Sequence, residues 1–166
     1  MLGPNTSSFV MYDEEFKRIN LVIEKLLRDA NAKVIFLVDK NGQLISAVGE
    51  TEHLDTTSLA SLTAGNIAAT GGLAKLIGEK EFSILFHEGE KDNLHISIVA
   101  ERVILVVIFD QRSSLGLVRL RVKKGSEELT QIFYDLAKKA EVQEKSGNAL
   151  SPFAEITDDD IDNLFS

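Results

Sequence analysis

The run Val103–Phe109, with sequence VILVVIF, is apolar at every position and constrains the fold more than any other segment. A strand with one face in water alternates apolar and polar side chains, whereas a strand that is covered on both faces does not. This run therefore predicts a central strand in a sheet whose two faces are both covered by other elements.

Four other apolar runs predict further strands, at residues 34–38, 44–48, 82–87 and 94–99. The first two flank the segment DKNG, in which Asn41-Gly42 predicts a hairpin with a type I′ turn; both central residues of such a turn have positive φ. Equally short links join the later runs to each other and to Val103–Phe109. Consecutive strands with short links pair antiparallel, so the sequence predicts a five-stranded antiparallel sheet.

Three helices are predicted around this sheet. The first covers residues 12–31, with acidic residues in its first turn and apolar residues at spacings of three and four. The second covers about residues 55–78 and the third about residues 114–140, each beginning at polar side chains that can cap it. Gly125 is expected to interrupt the third helix. The order αββαβββα predicts an α/β fold of the α+β type, with helices on both faces of the sheet.

The negative charge of the chain is concentrated at its end. Residues 141–166 carry six of the eight net negative charges, and the nearly neutral remainder argues against nucleic-acid binding. We therefore expect a flexible N-terminus at residues 1–11, one domain at residues 12–140, and an acidic linker and interaction tail at residues 141–166. The alternative to an interaction tail is a purely solubilising one. The apolar side chains expected to contact a partner are Phe153, Ile156, Ile161, Leu164 and Phe165.

No motif for catalysis or cofactor binding is present. The sequence has neither a G-x-x-x-x-G-K-[ST] phosphate loop nor a G-x-S-x-G nucleophile turn, and its three histidines lack metal-ligand spacing. It therefore predicts no enzymatic activity, no cofactor and no metal. There is no cysteine, no signal-peptide pattern and no apolar run near the roughly 20 residues that span a bilayer. We expect a cytoplasmic protein without membrane insertion.

The second helix carries two different apolar stripes. The larger side chains predict a stripe that packs on the sheet, formed by Leu59, Leu62, Ala69, Leu73 and Ile77. The second stripe has no side chain larger than a methyl group, and consists of Ala60, Ala64, Ala68 and Gly72. A glycine in a helix costs about 1 kcal/mol relative to alanine, so this stripe is expected to allow close approach of another helix or a partner protein. The alternative is tight packing of the small stripe on the chain's own sheet.

The hairpin VIFLVDKNGQLIS and the helix DTTSLASLTAGNIAATGGLAKLIGE, in the order αββαβββα, resemble the Roadblock (dynein light chain) family. The likeness covers about residues 12–140 and includes VVIFDQRSSLGLVRLRVKK, and it extends to the terminal segment SPFAEITDDDIDNLF. It implies a homodimer in which two sheets join edge to edge and two second helices form a platform for a small Ras-like GTPase. Carried over by position, the platform centres on Ala64, Ala68 and Gly72. The resemblance further implies that the protein stimulates GTP hydrolysis and acts in bacterial cell polarity and motility, with other polarity proteins as further partners.

Two mechanisms of stimulation are compatible with the sequence. An arginine inserted into the GTPase would have to be Arg102, Arg112, Arg119 or Arg121. Otherwise the platform selects the GTPase conformation whose own catalytic groups are in place. We favour the second mechanism, because the small stripe carries no charged side chain and the basic segment RLRVKK suits a solvated face. A non-activating scaffold, a nucleotide-exchange regulator and a small-molecule sensor are alternative functions of the same fold.

Overall fold

The computed structural model describes residues 13–150 of the chain, and their side chains as far as residue 144. The predicted N-terminal segment 1–11 and the predicted tail contacts Phe153, Ile156, Ile161, Leu164 and Phe165 lie outside the described residues. The elements are α1 (Asp13–Asp29), β1 (Val34–Asp39), β2 (Leu44–Gly49), α2 (Thr56–Leu76), β3 (Ile84–Glu88), β4 (Asn93–Val99), β5 (Val103–Phe109) and α3 (Leu115–Leu150). The predicted element order is confirmed.

The five strands form one antiparallel sheet in the order β2-β1-β5-β4-β3, with β5 in the middle. All seven residues of β5 are buried, as expected for a strand that is covered on both faces. Helices α1 and α3 cover one face, where they pack on Leu105 and Val107. Helix α2 covers the other face, where Ile67 packs in the same cluster as Phe36 and Val106. The predicted fold class is therefore confirmed.

The β1–β2 hairpin is present, but the prediction of a type I′ turn is wrong. Gly42 has a φ of 92°, whereas Asn41 does not have a positive φ. The Gly42 amide donates to the Asp39 carbonyl over 3.0 Å, and the Asn41 and Gln43 amides each donate to Asp39 Oδ1 over 2.9 Å. The Asp39 carboxylate thus stabilises a type I turn that is followed by a left-handed glycine.

Helix α3 is longer than predicted and continuous. It contains 36 residues and ends at Leu150, so the segment from 141 to 150 is helical where a linker was expected. The mostly strong helix formers at 141–145 outweigh the Ser-Gly-Asn sequence that follows them. Gly125 does not interrupt the helix. A Cβ at Gly125 would lie 3.3 Å from Leu26 Cδ2, so this glycine lets α1 and α3 pack closely.

His95 is a buried titratable residue of β4. Its side chain is 1% exposed and lies on the sheet face that α1 and α3 cover. Neither ring nitrogen has a hydrogen-bond partner on another described residue. Burial lowers the pKa of His95, and the positive charge of Arg119 lowers it further. The fold therefore favours the neutral ring.

We expect the stability of the domain to decrease as the pH falls. Because the folded-state pKa of His95 lies below its unfolded value, the stability from the neutral ring is present above about pH 6.5 and is lost as the pH falls through the folded-state pKa. Replacing His95 by leucine should flatten this part of the profile of unfolding temperature against pH. The exposed His53→Leu is the matched control, and identical profiles for the His95→Leu variant and the wild type would contradict the prediction.

Candidate functional site

The ends of α2 are defined by local hydrogen bonds. Asp55 caps the first turn, because its carboxylate accepts hydrogen bonds from the Ser58 amide over 3.1 Å and from the Ser58 hydroxyl over 2.6 Å. These bonds lower the pKa of Asp55. At the other end, Gly78 has a φ of 83° and its amide donates to the Lys75 carbonyl. The helix therefore occupies nearly the predicted range.

The orientation of α2 differs from the prediction. The fully buried side chains of α2 are small or medium in size, namely Ala60, Thr63, Ile67 and Ala74. Leu59 is partly buried against the same cluster, as predicted. Leu62, Leu73 and Ile77 were predicted to pack there, but they are 72%, 54% and 63% exposed. Where α2 lies against the β1–β2 turn there is little space, since a Cβ on Gly42 would come within 3.4 Å of the Ser61 backbone. The rule that the larger apolar side chains face the core therefore holds for Leu59 but not for Leu62, Leu73 and Ile77.

The predicted platform residues divide between two environments. Ala60 is 1% exposed and packs on the sheet, so its prediction as a partner contact is wrong. Ala64 is half-buried, and Ala68 and Gly72 are exposed. The last three lie along one flank of α2 and line a surface cavity of about 370 Å³, which we call the α2 cavity.

Charged side chains form the walls of the α2 cavity. They are Lys40 from the β1–β2 turn, Lys75 from the last turn of α2, and Lys80 and Glu81 from the segment before β3. Lys40 Nζ lies 3.4 Å from Glu81 Oε1. Sequence reasoning missed these residues because they come from three separate segments, and only the topology of the sheet brings the segments together.

The opposite flank of α2 presents an exposed apolar surface, which we call the leucine flank and which consists of Leu62, Leu73 and Ile77. Leu76 is 84% exposed and lies one turn after Gly72, between the two flanks. Asn66 Nδ2 lies 3.3 Å from His87 Nε2 and so connects this side of the helix to the edge strand β3. An exposed apolar surface beside an open strand edge is typical of an interface with another protein chain.

Three glycines of α2 are not required by the packing of the subunit itself. A Cβ added at Gly65, at Gly71 or at Gly72 would meet no atom within 4 Å. Each nevertheless lowers the stability of the helix by about 1 kcal/mol relative to alanine. This pattern favours close approach by something outside the subunit over the alternative of tight packing on the sheet.

Within the part of the chain that the structure describes, none of the four predicted arginines lines the α2 cavity. Arg112 follows β5, at the opposite end of the sheet from the β1–β2 turn, and its guanidinium lies 2.9 Å from Asp110 and 3.2 Å from Glu50. Both carboxylates raise the pKa of Arg112. Arg119 and Arg121 belong to α3, on the other face of the sheet from α2, and Arg102 lies in the β4–β5 turn.

The described residues contain neither a membrane-spanning helix nor a cluster of metal-ligating side chains. Between residues 13 and 150, no helix is both long and apolar enough to cross a membrane. Within the same part of the chain, no group of three or more potential metal-ligating side chains comes together.

Comparison with known proteins gives a consistent result. Residues 18–109 match the model of the Roadblock/LC7 domain. MglB of Myxococcus xanthus is 70% identical, with 76% of this chain and 96% of that chain covered and a TM-score of 0.73. A gliding protein MglB from Thermus thermophilus is 36% identical, with coverages of 75% and 95% and a TM-score of 0.71. An MglB with a tetrameric arrangement is 34% identical, with coverages of 78% and 97% and a TM-score of 0.73. No curated protein sequence matches the chain.

Proposed function

The chain belongs to the Roadblock/LC7 domain family, and on that basis we propose that it is a homodimeric GTPase-activating protein for a small Ras-like GTPase of the MglA type. The observation that carries this proposal is the 70% identity to Myxococcus xanthus MglB over 96% of the length of that protein. The resemblance of the sequence to this family implies GTPase stimulation. The protein is a regulator in this proposal and performs no catalytic chemistry of its own.

The two flanks of α2 support a division of roles. In the proposed homodimer, the leucine flank and the edge of β3 meet their counterparts in a second copy, which gives a self-complementary interface. The α2 cavity, with Ala64, Ala68 and Gly72, remains available on the other flank and receives the GTPase. The small side chains let the partner backbone approach closely, and Ala60 contributes only by packing on the sheet.

Stimulation in this proposal does not use an inserted arginine. Among the described residues, no arginine lines the α2 cavity, and Arg112 is engaged by two carboxylates at the other end of the sheet. The platform instead binds the hydrolysis-competent conformation of the GTPase more tightly than the others, and so increases its population. The acceleration is then limited by how well the GTPase's own groups align water and stabilise charge.

The cellular role follows from the same activity. A protein that stimulates hydrolysis where it is concentrated confines the active GTPase elsewhere, so we propose a cytoplasmic protein that is enriched at one cell pole and acts in polarity and motility. Residues 151–166 would add a second contact with the GTPase or with another polarity protein. Deletion of these residues should then weaken binding or change localisation.

Phosphate release is the direct test. The cognate MglA-type GTPase, loaded with GTP, is measured with and without this protein, and we expect an acceleration of at least about tenfold, below the 10³–10⁵ of an inserted arginine. Arg112→Ala should retain the acceleration within about twofold. Loss of the acceleration in Arg112→Ala, with binding intact, would contradict the mechanism. Absence of GTP-dependent binding by the wild type would contradict the proposed function itself.

A second candidate is a Roadblock scaffold or a nucleotide-exchange regulator of the same GTPase. The observation that favours it is the floor of the α2 cavity, where the described lining residues Ala64, Ile67, Ala68, Gly71 and Gly72 include no arginine, acid or base. GTP-dependent binding without faster phosphate release would favour the scaffold. Faster release of labelled nucleotide would favour exchange.

A further inference from the structure

The walls of the α2 cavity carry an excess of positive charge. The charged lining residues among those described are three lysines, Lys40, Lys75 and Lys80, and a single acid, Glu81. Lys40 and Glu81 pair over 3.4 Å, while Lys75 and Lys80 form no ion pair with any described residue. The chain as a whole has a net charge of −8, so this cavity has the opposite sign to the protein that contains it.

The fold does not account for this cluster. A lysine in the last turn of a helix is favoured by the helix dipole, which explains Lys75 alone. Lys40 lies in a turn and Lys80 in an irregular segment, where no comparable effect operates. Each of these three side chains is exposed, so none stabilises the core. Gathering like charges around one concave surface is unfavourable in the free subunit, and an anionic partner relieves that repulsion.

We propose that the α2 cavity recognises an acidic segment of the GTPase, with a carboxylate of that segment seated between Lys75 and Lys80. This inference rests on the proposed function and adds the chemistry of the partner surface. The small floor at Ala68 and Gly72 admits the backbone of the segment, and the lysines supply the charge. Glu81 pairs with Lys40 and repels any acidic group that approaches this pair. This repulsion directs the carboxylate of the partner towards Lys75 and Lys80.

Such a contact acts mainly on the rate of association. Exposed charges at an interface rim steer the encounter of the partners and are screened by salt, whereas they affect dissociation less. The acidic segment would therefore determine which GTPases bind quickly. GTPases with a neutral segment at this position would associate more slowly because the lysines would stay unpaired. GTPases with a basic segment would associate more slowly still because the lysines would repel them.

The test compares two double charge reversals in the full-length protein. Lys75→Glu/Lys80→Glu changes the cavity. Lys91→Glu/Lys124→Glu makes the same change in net charge, but Lys91 lies in the β3–β4 turn at the far end of the sheet and Lys124 on α3. Association and dissociation rates are measured by stopped-flow fluorescence with the cognate GTPase bound to a non-hydrolysable GTP analogue, at about 0.02 M and 0.5 M salt, which lie on either side of physiological screening.

At low salt we expect the cavity variant to associate at least about fivefold more slowly than the wild type, with dissociation changed less than about twofold. At high salt the difference in association should shrink below about twofold, and the control variant should stay within about twofold throughout. Equal association rates for the two variants would overturn the inference while leaving the proposed function intact. If the wild type fails to bind the GTPase at either salt concentration, the proposed function fails and the inference fails with it.

Discussion

Replacing Ala64 and Ala68 together by arginine is expected to lower the affinity for the GTPase at least about 100-fold and to abolish its activation. Both side chains line the α2 cavity, and Ala68 is exposed. Two long arginine side chains would fill the cavity and prevent close approach of the partner backbone. Removing the central contact of an interface in this way costs about 3 kcal/mol or more, which corresponds to that loss of affinity.

The control substitutions separate the loss of binding from the loss of folding. Ala137→Arg places the same side chain at an exposed position of α3 and should leave affinity and activation unchanged. Ala60→Arg changes a side chain that is 1% exposed on the sheet-facing side of α2 and should prevent folding. Light scattering checks that the Ala64→Arg/Ala68→Arg variant is still a dimer. Normal binding by a folded, dimeric double variant would show that the GTPase does not use the α2 cavity.

Gly49→Ala is expected to destabilise the domain by about 3 kcal/mol or more. Gly49 ends β2 with a φ of 98°, and an added Cβ would lie 2.4 Å from the Lys33 carbonyl oxygen and 3.1 Å from Leu27 Cδ1. The Lys33 carbonyl also accepts a hydrogen bond from the Glu50 amide over 3.0 Å, so it cannot move without breaking that bond. A side chain in this backbone region costs about 1–3 kcal/mol, and the steric overlap adds to that cost.

Urea denaturation measures this effect, with Gly116→Ala as the matched control. A Cβ at Gly116 would meet nothing within 4 Å, and this glycine lies near the start of α3, so alanine should be neutral or slightly stabilising. A Gly49→Ala variant with the denaturation midpoint of the wild type would contradict the expected strain. Gly49 and Gly116 look alike in the sequence, and only the space around each distinguishes their roles.

The order of the elements was predictable from the sequence for a physical reason. Residues 103–109 are apolar throughout, and a strand of that composition is stable only when both of its faces are covered. Short links between β1 and β2, and between β3, β4 and β5, then leave few arrangements besides an antiparallel sheet. These features are local, or depend only on the length of a link, and so they can be recognised in a linear sequence.

The orientation of α2 was not predictable in the same way. Hydrophobic periodicity identifies the apolar sides of a helix, but it does not say which of them faces the helix's own sheet and which faces another chain. Leu62 and Leu73 were assigned to the wrong side for this reason. The lysines of the α2 cavity escaped notice because Lys40, Lys75 and Lys80 are neighbours only after folding.

The β1–β2 turn was misassigned for a related reason. The Asn41-Gly42 pair favours a type I′ turn when it is considered alone. In the folded chain the Asp39 carboxylate accepts hydrogen bonds from the Asn41 and Gln43 amides, and these bonds determine the type of turn. The Asn41-Gly42 pair therefore predicts that the chain reverses direction here, whereas the side chain of Asp39 determines the type of turn.

The exposed leucine flank makes the stability of each subunit depend on the local concentration of the protein in the cell. A subunit in the proposed homodimer hides Leu62, Leu73 and Ile77 only while its mate is present, so its folding equilibrium depends on its own concentration. Dilution would then release subunits that are both less stable and prone to adhere to other apolar surfaces. Local accumulation, by contrast, would stabilise the protein where it accumulates. A dimer held together by such a surface is stable where the local concentration of the protein is high, and it dissociates where that concentration is low.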